Sequence, residues 1–564
     1  MTSIDKTAIF WTIGIVAIGI GFSFYGAENP SQFTSSNNVT LLDKEQEQQS
    51  PPSLPPQSVS ARLVSDMPIV SLSNNDEFDL TASSITKTID EQSFDMLGYN
   101  EKSPGPLLVV GQGDEITINF QNDLEFPTTV HWHGLRLDYT SDGVPGITQD
   151  PVLPGDKYDY ELKFPDSGVF LYHPHVRTEM QMDLGLYGNI LVEPEYETSA
   201  NLQVPLMLDD ILISDGIIEE YDSEIATHTL MGRFGNTMMI NGDTDYSLKV
   251  KQGEIVQFYL TNAANTRIFD FGIDQHKLKL VADDASNYEK EKFVDSVMLA
   301  SSERRTVDVL FDKTGDYSIT HTTPEKTYIL GTISVMSSNN KISSTFNTLA
   351  TNIEVIQEID QFRKYFTIEP DLELEFDVKT SLMHQMHSDD DDMMNMDAHN
   401  GDKHSMDMNE SHSMDMNESH SMDMEEYEKT MLHPIEWEDE MPMMNAMSNE
   451  DNTHWIIRDV NSGKEGFDID YEANVGEIKK IRLFNNPDSD HPMQHPIHLH
   501  GQRFLVLSED GITNDNLAWK DTVLVPTGKT VDILVEFSNP GQWAMHCHIL
   551  EHAEAGMMTQ FTVN

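Results

Sequence analysis

Apolar and polar residues alternate over short stretches through most of the chain, and Gly, Asn, Asp and Pro punctuate the alternation. Period two is the spacing of a strand with one buried face, and frequent turn residues keep such strands short. Three stretches share one pattern: GDEITINFQN from Gly113, GEIVQFYLTN from Gly253 and GEIKKIRLFNN from Gly476. Each opens on glycine, sets an acid beside an isoleucine, alternates, and reaches an asparagine (Asn122, Asn262, Asn485) nine residues on. Three more stretches close alike, DSGVFLYHPH around Gly168, KTGDYSITHT around Gly315 and NPGQWAMHCH around Gly541. The pattern predicts an all-β chain of three related Greek-key sandwiches, at 60–196, 200–337 and 350–564.

Two segments break the pattern. An apolar run from about Ala8 to Ala27 predicts a signal anchor or signal peptide over 1–28, with a Ser/Pro/Gln-rich linker over 29–59. An exported protein, at the cell surface or in a periplasm-like space, is therefore expected, with attachment to a membrane left open. The second break is in the third unit, where an insertion over 383–447 holds sixteen of the thirty-one methionines. HSMDMNES starts at His404, recurs at His412 and returns in part at His420. A stretch so poor in branched aliphatics cannot pack a core of its own.

Charge narrows the partners. Lys and Arg number 35 against 95 Asp and Glu, a formal charge of -60, which repels nucleic-acid phosphate and draws cations. Cys547 stands alone, so no intramolecular disulfide forms.

Four histidine motifs lie in the first and third units: His131-Trp132-His133-Gly134, His173-Pro174-His175, HPIHLHG from His495, and HCHILEHAEAGMM from His546. Residues i and i+2 of a strand share a face, so each His-x-His pair aims two imidazoles at one point. The middle unit has Phe269-Asp270-Phe271-Gly272 and Thr320-His321-Thr322 instead: the fold without the ligands. Cys547, His552 and Met557 can converge with His495 on one ion; a thiolate, two imidazoles and a weak thioether make the trigonal blue-copper set.

These four motifs resemble the copper-binding signatures of the multicopper oxidase family, which includes laccases, ferroxidases and cuprous oxidases, and the likeness runs over roughly 60–564 outside the insertion. The resemblance implies three cupredoxin-like domains and four coppers. It implies type 1 ligands His495, Cys547, His552 and Met557, type 2 ligands His131 and His498, and type 3 ligands His133, His173, His175, His500, His546 and His548. Asp142, in the segment SDGVP, matches the acid kept beside the type 2 copper, although an Asp-Gly turn explains it equally. One departure stands out: where the periplasmic cuprous oxidases place a glutamate after the second type 1 histidine, this chain has Ala553, flanked by Glu551 and Glu554.

The activity implied is four one-electron oxidations coupled to reduction of dioxygen to water. The methionine-rich insertion sits where the cuprous oxidases have theirs, and Met493 matches one of their substrate-copper ligands, with Asp490 and His491 near a matching acid. Thioethers select Cu(I), while carboxylate and imidazole accept Cu(II). Cu(I) is the donor expected, with extra Cu(I) or Cu(II) bound in the insertion. A laccase acting on phenols or aryl amines, a small organic reductant in that case, would share every ligand. A copper-sequestering protein without turnover would account for the insertion but not for the complete ligand set.

Overall fold

The structure is a computed structural model that describes residues 61–194, 199–382 and 434–564. The apolar N-terminal segment, the linker and most of the insertion lie outside the described residues. Among the described residues no helix is long and apolar enough to cross a membrane.

The described body holds three pairs of sheets, one pair per repeat. The first sandwich packs a four-stranded sheet (Glu77–Ile89, Gln92–Tyr99, Glu115–Asn122, Lys157–Lys163) on a five-stranded one that includes His131–His133 and Gly168–His173. In the middle and third sandwiches a seven-stranded sheet faces a five-stranded one. The topology repeats with the sequence. Each opening strand (Glu115–Asn122, Ile255–Asn262, Glu477–Asn485) runs parallel to the strand preceding it in its sheet and antiparallel to a later one. Each closing strand (Gly168–His173, Gly315–Thr322, Gly541–Cys547) lies antiparallel between two neighbours, one of them the strand of the first His-x-His motif or its counterpart.

The alternation reads as burial. Ile116, Ile118 and Phe120 point into the first core, and Thr117 and Asn119 face outward. The middle opening strand is buried along its whole length, and Tyr259 on its outer face joins an apolar cluster with Leu107, Val109 and Leu191 of the first sandwich. A second apolar seam joins Ala285 of the middle sandwich and Ile359 and Phe362 of the connecting segment to Leu505, Leu517 and Trp519 of the third. One departure from the expected boundaries lies at the start: Arg62–Leu63 pairs with Leu202 and Gln203, adding an edge to the middle sheet.

The repeated asparagines have one task in all three copies. The Asn122 amide donates to the carbonyls of Phe126 and Val152 (2.9 and 2.8 Å), that of Asn262 to Arg267 and Leu299 (2.7 and 3.0 Å), and that of Asn485 to Met493 and Val525 (2.7 and 3.0 Å). Each buried amide thus pins the loop that leads into the first motif strand, using carbonyls that burial would otherwise leave unpaired.

Candidate metal centre

Register brings the motifs together. His131 lies opposite His173, and His498 opposite His546, in equivalent strand pairs of the first and third sandwiches. The two faces meet, so that the His133 and His498 rings stack at 3.6 Å and the His131 and His500 rings lie 4.0 Å apart. His500 Nε2 is 3.0 Å from His546 Nε2, and His175 Nε2 is 3.4 Å from the same atom. His548 packs beside His133 and His173, at 5.1 and 5.2 Å. The eight histidines therefore occupy one compact interface between domains.

Outer partners decide which nitrogen each ring presents. Nδ1 of His131 donates to the Asp142 carbonyl (2.7 Å), of His173 to the Pro174 carbonyl (2.8 Å), of His498 to the Asp521 carbonyl (2.9 Å) and of His546 to the Cys547 carbonyl (2.8 Å). His500 Nδ1 meets Asp142 Oδ2 at 3.0 Å. A donating Nδ1 leaves the lone pair on Nε2. His133 is the exception, since its Nε2 meets Asp521 Oδ1 (3.1 Å) and Thr522 Oγ1 (3.0 Å). The inward atoms, Nε2 of His131, His173, His498 and His548 and Nδ1 of His133, are buried without a hydrogen-bond partner. Unpartnered buried acceptors at one point fit metal ions, which would satisfy them.

Burial also keeps the rings neutral. His133, His173, His175, His498, His500 and His548 are held well below the ordinary histidine value, first by desolvation and then by their neighbouring rings. His546 falls to about 4, again mainly by desolvation. Neutral imidazole is the ligand form.

A second cluster holds His495, Cys547 and His552. Cys547 Sγ is 3.6 Å from His495 Nδ1 and 3.9 Å from His552 Nδ1, and all three residues are buried. Met557 is fully buried in the same apolar cluster as Cys547, and the Cys547 amide donates to the Met557 carbonyl (3.1 Å). Burial pushes the Cys547 thiol well up, a penalty that a bound cation would offset by holding the thiolate.

Asp142 is buried against both His131 and His500, so the acid read from SDGVP reaches the cluster. It also serves its turn: Gly143 has φ +82°, and a Cβ there would overlap the Val130 carbonyl. Of the residues expected to present a substrate ion, Met493 is a core residue, fully buried in the third sandwich with its carbonyl taken by Asn485. Asp490 accepts from the Thr380 amide (3.0 Å), and His491 is buried with an unpartnered Nε2. Sequence reasoning missed Asp521, which meets His133, Arg304, which forks onto Asp521, and Ser301, which meets His548; their one sequence signal is a run of polar residues at strand ends.

The family comparisons decide the class. Profiles described as multicopper oxidase match residues 81–197, 203–347 and 436–564, one in each sandwich. The chain belongs to the multicopper oxidase family. As such it is a copper-dependent oxidoreductase that uses dioxygen and a reductant. A Staphylococcus aureus multicopper oxidase is 24% identical over 479 residues, covering 83% of each chain. Two solved structures share the fold: a Campylobacter jejuni multicopper oxidase described as a metallo-oxidase (21% identity, TM-score 0.63, covering 90% of this chain and 96% of that one) and McoA from Aquifex aeolicus (21% identity, TM-score 0.63, 90% and 100%).

Within this multicopper oxidase the middle sandwich has filled its counterpart site with packing. Phe269 and Phe271 are core residues, and His321 lies against Phe269 at 5.1 Å, stacks on Tyr328 and accepts from the Asp270 amide.

Proposed function

We propose that this multicopper oxidase is a metallo-oxidase whose donor is Cu(I). In this reading His495, Cys547, His552 and Met557 hold the type 1 copper, His131 and His498 the type 2 copper, and His133, His173, His175, His500, His546 and His548 the type 3 pair. Bound there, copper supplies one-electron transfer and the four-electron reduction of dioxygen to two waters. The chain's own part is to fix ligand geometry, exclude water and link the two clusters through the backbone His546-Cys547-His548.

The observation that carries the choice of donor is the covered edge of the type 1 cluster. His495 and His552 are 1% and 0% exposed. Trp455 stacks on His552 at 3.9 Å and donates its indole N–H to the Thr229 carbonyl (2.6 Å). Against the neighbouring Met231–Gly232 segment lies the short helix Pro442–Met447, tied down by buried Asn445, which accepts from the Met231 amide and donates to the Gly232 carbonyl (3.0 and 2.8 Å). Met444 of that helix is buried in the core cluster that also holds Leu230 and Trp455. Met443 and Met447, four residues apart and so on one helical face, are 81% and 53% exposed. An aryl donor has no open imidazole edge to touch, whereas an ion held by thioethers outside the cap needs none.

Oxygen uptake by the copper-loaded chain, measured in parallel with Cu(I), Fe(II) and a phenolic dye, tests this. Cu(I) at limiting concentration should support the fastest uptake. Fast uptake with the dye and none with Cu(I) would establish the laccase reading instead, and no uptake with any donor would leave copper sequestration.

A further inference from the structure

The middle sandwich owns none of the clustered histidines, yet its turn Ala300–Arg304 reaches them from the side. Arg304 is fully buried and touches all three sandwiches: Nε donates to the Val169 carbonyl of the first (3.2 Å), Nη1 to the Ser302 carbonyl of its own (3.1 Å), and the guanidinium forks onto Asp521 of the third, with Nη1 to Oδ1 at 2.6 Å. Asp521 Oδ1 in turn accepts from His133 Nε2. Three residues earlier, Ser301 Oγ donates to the Ala264 carbonyl (2.6 Å) and meets His548 Nδ1 at 3.2 Å, where it acts as acceptor.

We infer that Arg304 and Ser301 are positioning residues for the three-copper face, through which the copper-free domain selects the ligand atom of one histidine from each flanking domain. The inference rests on assigning these histidines to copper and is independent of the electron donor.

The chemistry is tautomer choice. A neutral imidazole carries one N–H, and its lone pair is on the other nitrogen. Asp521 accepts a hydrogen bond from the Nε2–H of His133 and so leaves the Nδ1 lone pair facing the cluster, opposite to the arrangement in the other rings. The carboxylate can do this only while its plane is fixed. A bidentate guanidinium fixes it, and a lysine ammonium, a point charge, does not offer the same fork. Ser301 does the equivalent for His548 in the common sense, holding the proton on Nδ1 and leaving Nε2 inward. Space is reserved for the pair as well: at Gly134, φ +87°, an added Cβ would stand 2.5 Å from Asp521 Oδ2 and 2.7 Å from Arg304 Nη2.

The test uses the full chain loaded with copper and the variants Arg304→Leu, Arg304→Lys and Ser301→Ala. The control is Arg267→Leu, which breaks the buried Arg267–Asp210 pair (2.6 Å) of the same sandwich. Three quantities are read: the blue band of the type 1 site, the fraction of copper that is EPR-silent through coupling, and copper retention against a chelator. Arg304→Leu and Ser301→Ala should keep the blue band, lose EPR-silent copper and retain cluster copper about 10-fold less well. Arg304→Lys should fall between, and the control should keep its EPR-silent copper. If Arg304→Leu fails to fold, Arg304→Lys and Ser301→Ala decide. Unchanged coupling in the folded variants overturns the inference, and so does an equal loss in the control, which would make Arg304 a general scaffold. A wild-type chain with no EPR-silent copper would instead refute the copper assignment beneath it.

Discussion

Cys547 shows how far single residues could be read. Its neighbours His546 and His548 in sequence, and His552 five residues on, mark it as a candidate ligand, because strand spacing sends alternate side chains to opposite faces. In the structure its sulfur lies on the His495 and His552 side, while His546 and His548 join the other cluster. Replacing Cys547 with Ser should therefore abolish the blue band while the coupled copper pair stays loaded, checked by absorption and EPR on one sample. A blue variant would refute the assignment. Met493 marks the limit of this kind of reading. Its place two residues before His495 is the same whether the thioether meets solvent or core, and only the packing of the third sandwich makes it a core residue.

At the level of strands and turns, the repeated Gly and Asn positions were legible because each answers a local backbone need. The asparagines hold loops of their own sandwiches, whereas the side chains that crowd Gly134 arrive from the other two domains and were not legible. Two glycines separate these contributions. Gly113 and Gly134 have nearly equal φ, +88° and +87°, but a Cβ at Gly113 meets nothing within 4 Å, whereas one at Gly134 strikes the Arg304–Asp521 pair. Gly113→Ala should cost only the left-handed backbone term, about 1–2 kcal/mol. Gly134→Ala should lower the melting temperature further and also weaken copper retention. Equal effects on both quantities would show that the pair yields freely. A second test concerns paired strands: Asp308, opposite Gln257 and hydrogen-bonded to its amide at 3.0 Å, is pushed up to about 7 by burial. The unfolded chain loses this proton near the ordinary aspartate value, while the folded chain keeps it until about 7. Over that window the folded state binds more protons, so this residue's contribution to stability falls as pH rises. The deficit reaches on the order of 4 kcal/mol above the window. Asp308→Asn keeps an oxygen for Gln257 and cannot ionise, so it should raise the melting temperature more at pH 8 than at pH 5. A pH-independent effect would refute this reading of Asp308.

Over the whole molecule, three sandwiches and two ligand-bearing faces followed from the repeats, but the end of the insertion did not. Low complexity suggested a boundary at Met447, yet residues 434–447 belong to the described body: Arg267 of the middle sandwich bonds the Trp437 carbonyl and Glu438, and Asn445 locks the cap. The available signal was Ile435 and Trp437, the return of branched aliphatic and aromatic side chains after a stretch nearly free of both. This division separates two roles that a single deletion would confuse. In the proposed reading the segment before Pro434 offers thioethers and carboxylates, ligand types that suit Cu(I) and Cu(II) respectively. Residues 434–449 tie down the Leu230–Gly232 segment, next to the Thr229 carbonyl that holds Trp455 on His552. Removing 384–432 and rejoining the chain should slow Cu(I) oxidation at limiting copper, leave it nearly unchanged at saturating copper, and leave phenol oxidation as before, because the cap remains. Opening the cap instead, with Asn445→Ala, removes the bonds to Met231 and Gly232 and should speed phenol oxidation without lowering Cu(I) capture at limiting concentration. Initial rates of oxygen uptake over a range of each donor separate the two effects. If the deletion leaves limiting-copper rates intact, the segment does not recruit the substrate, and the exposed Met443 and Met447 become the place to look for it.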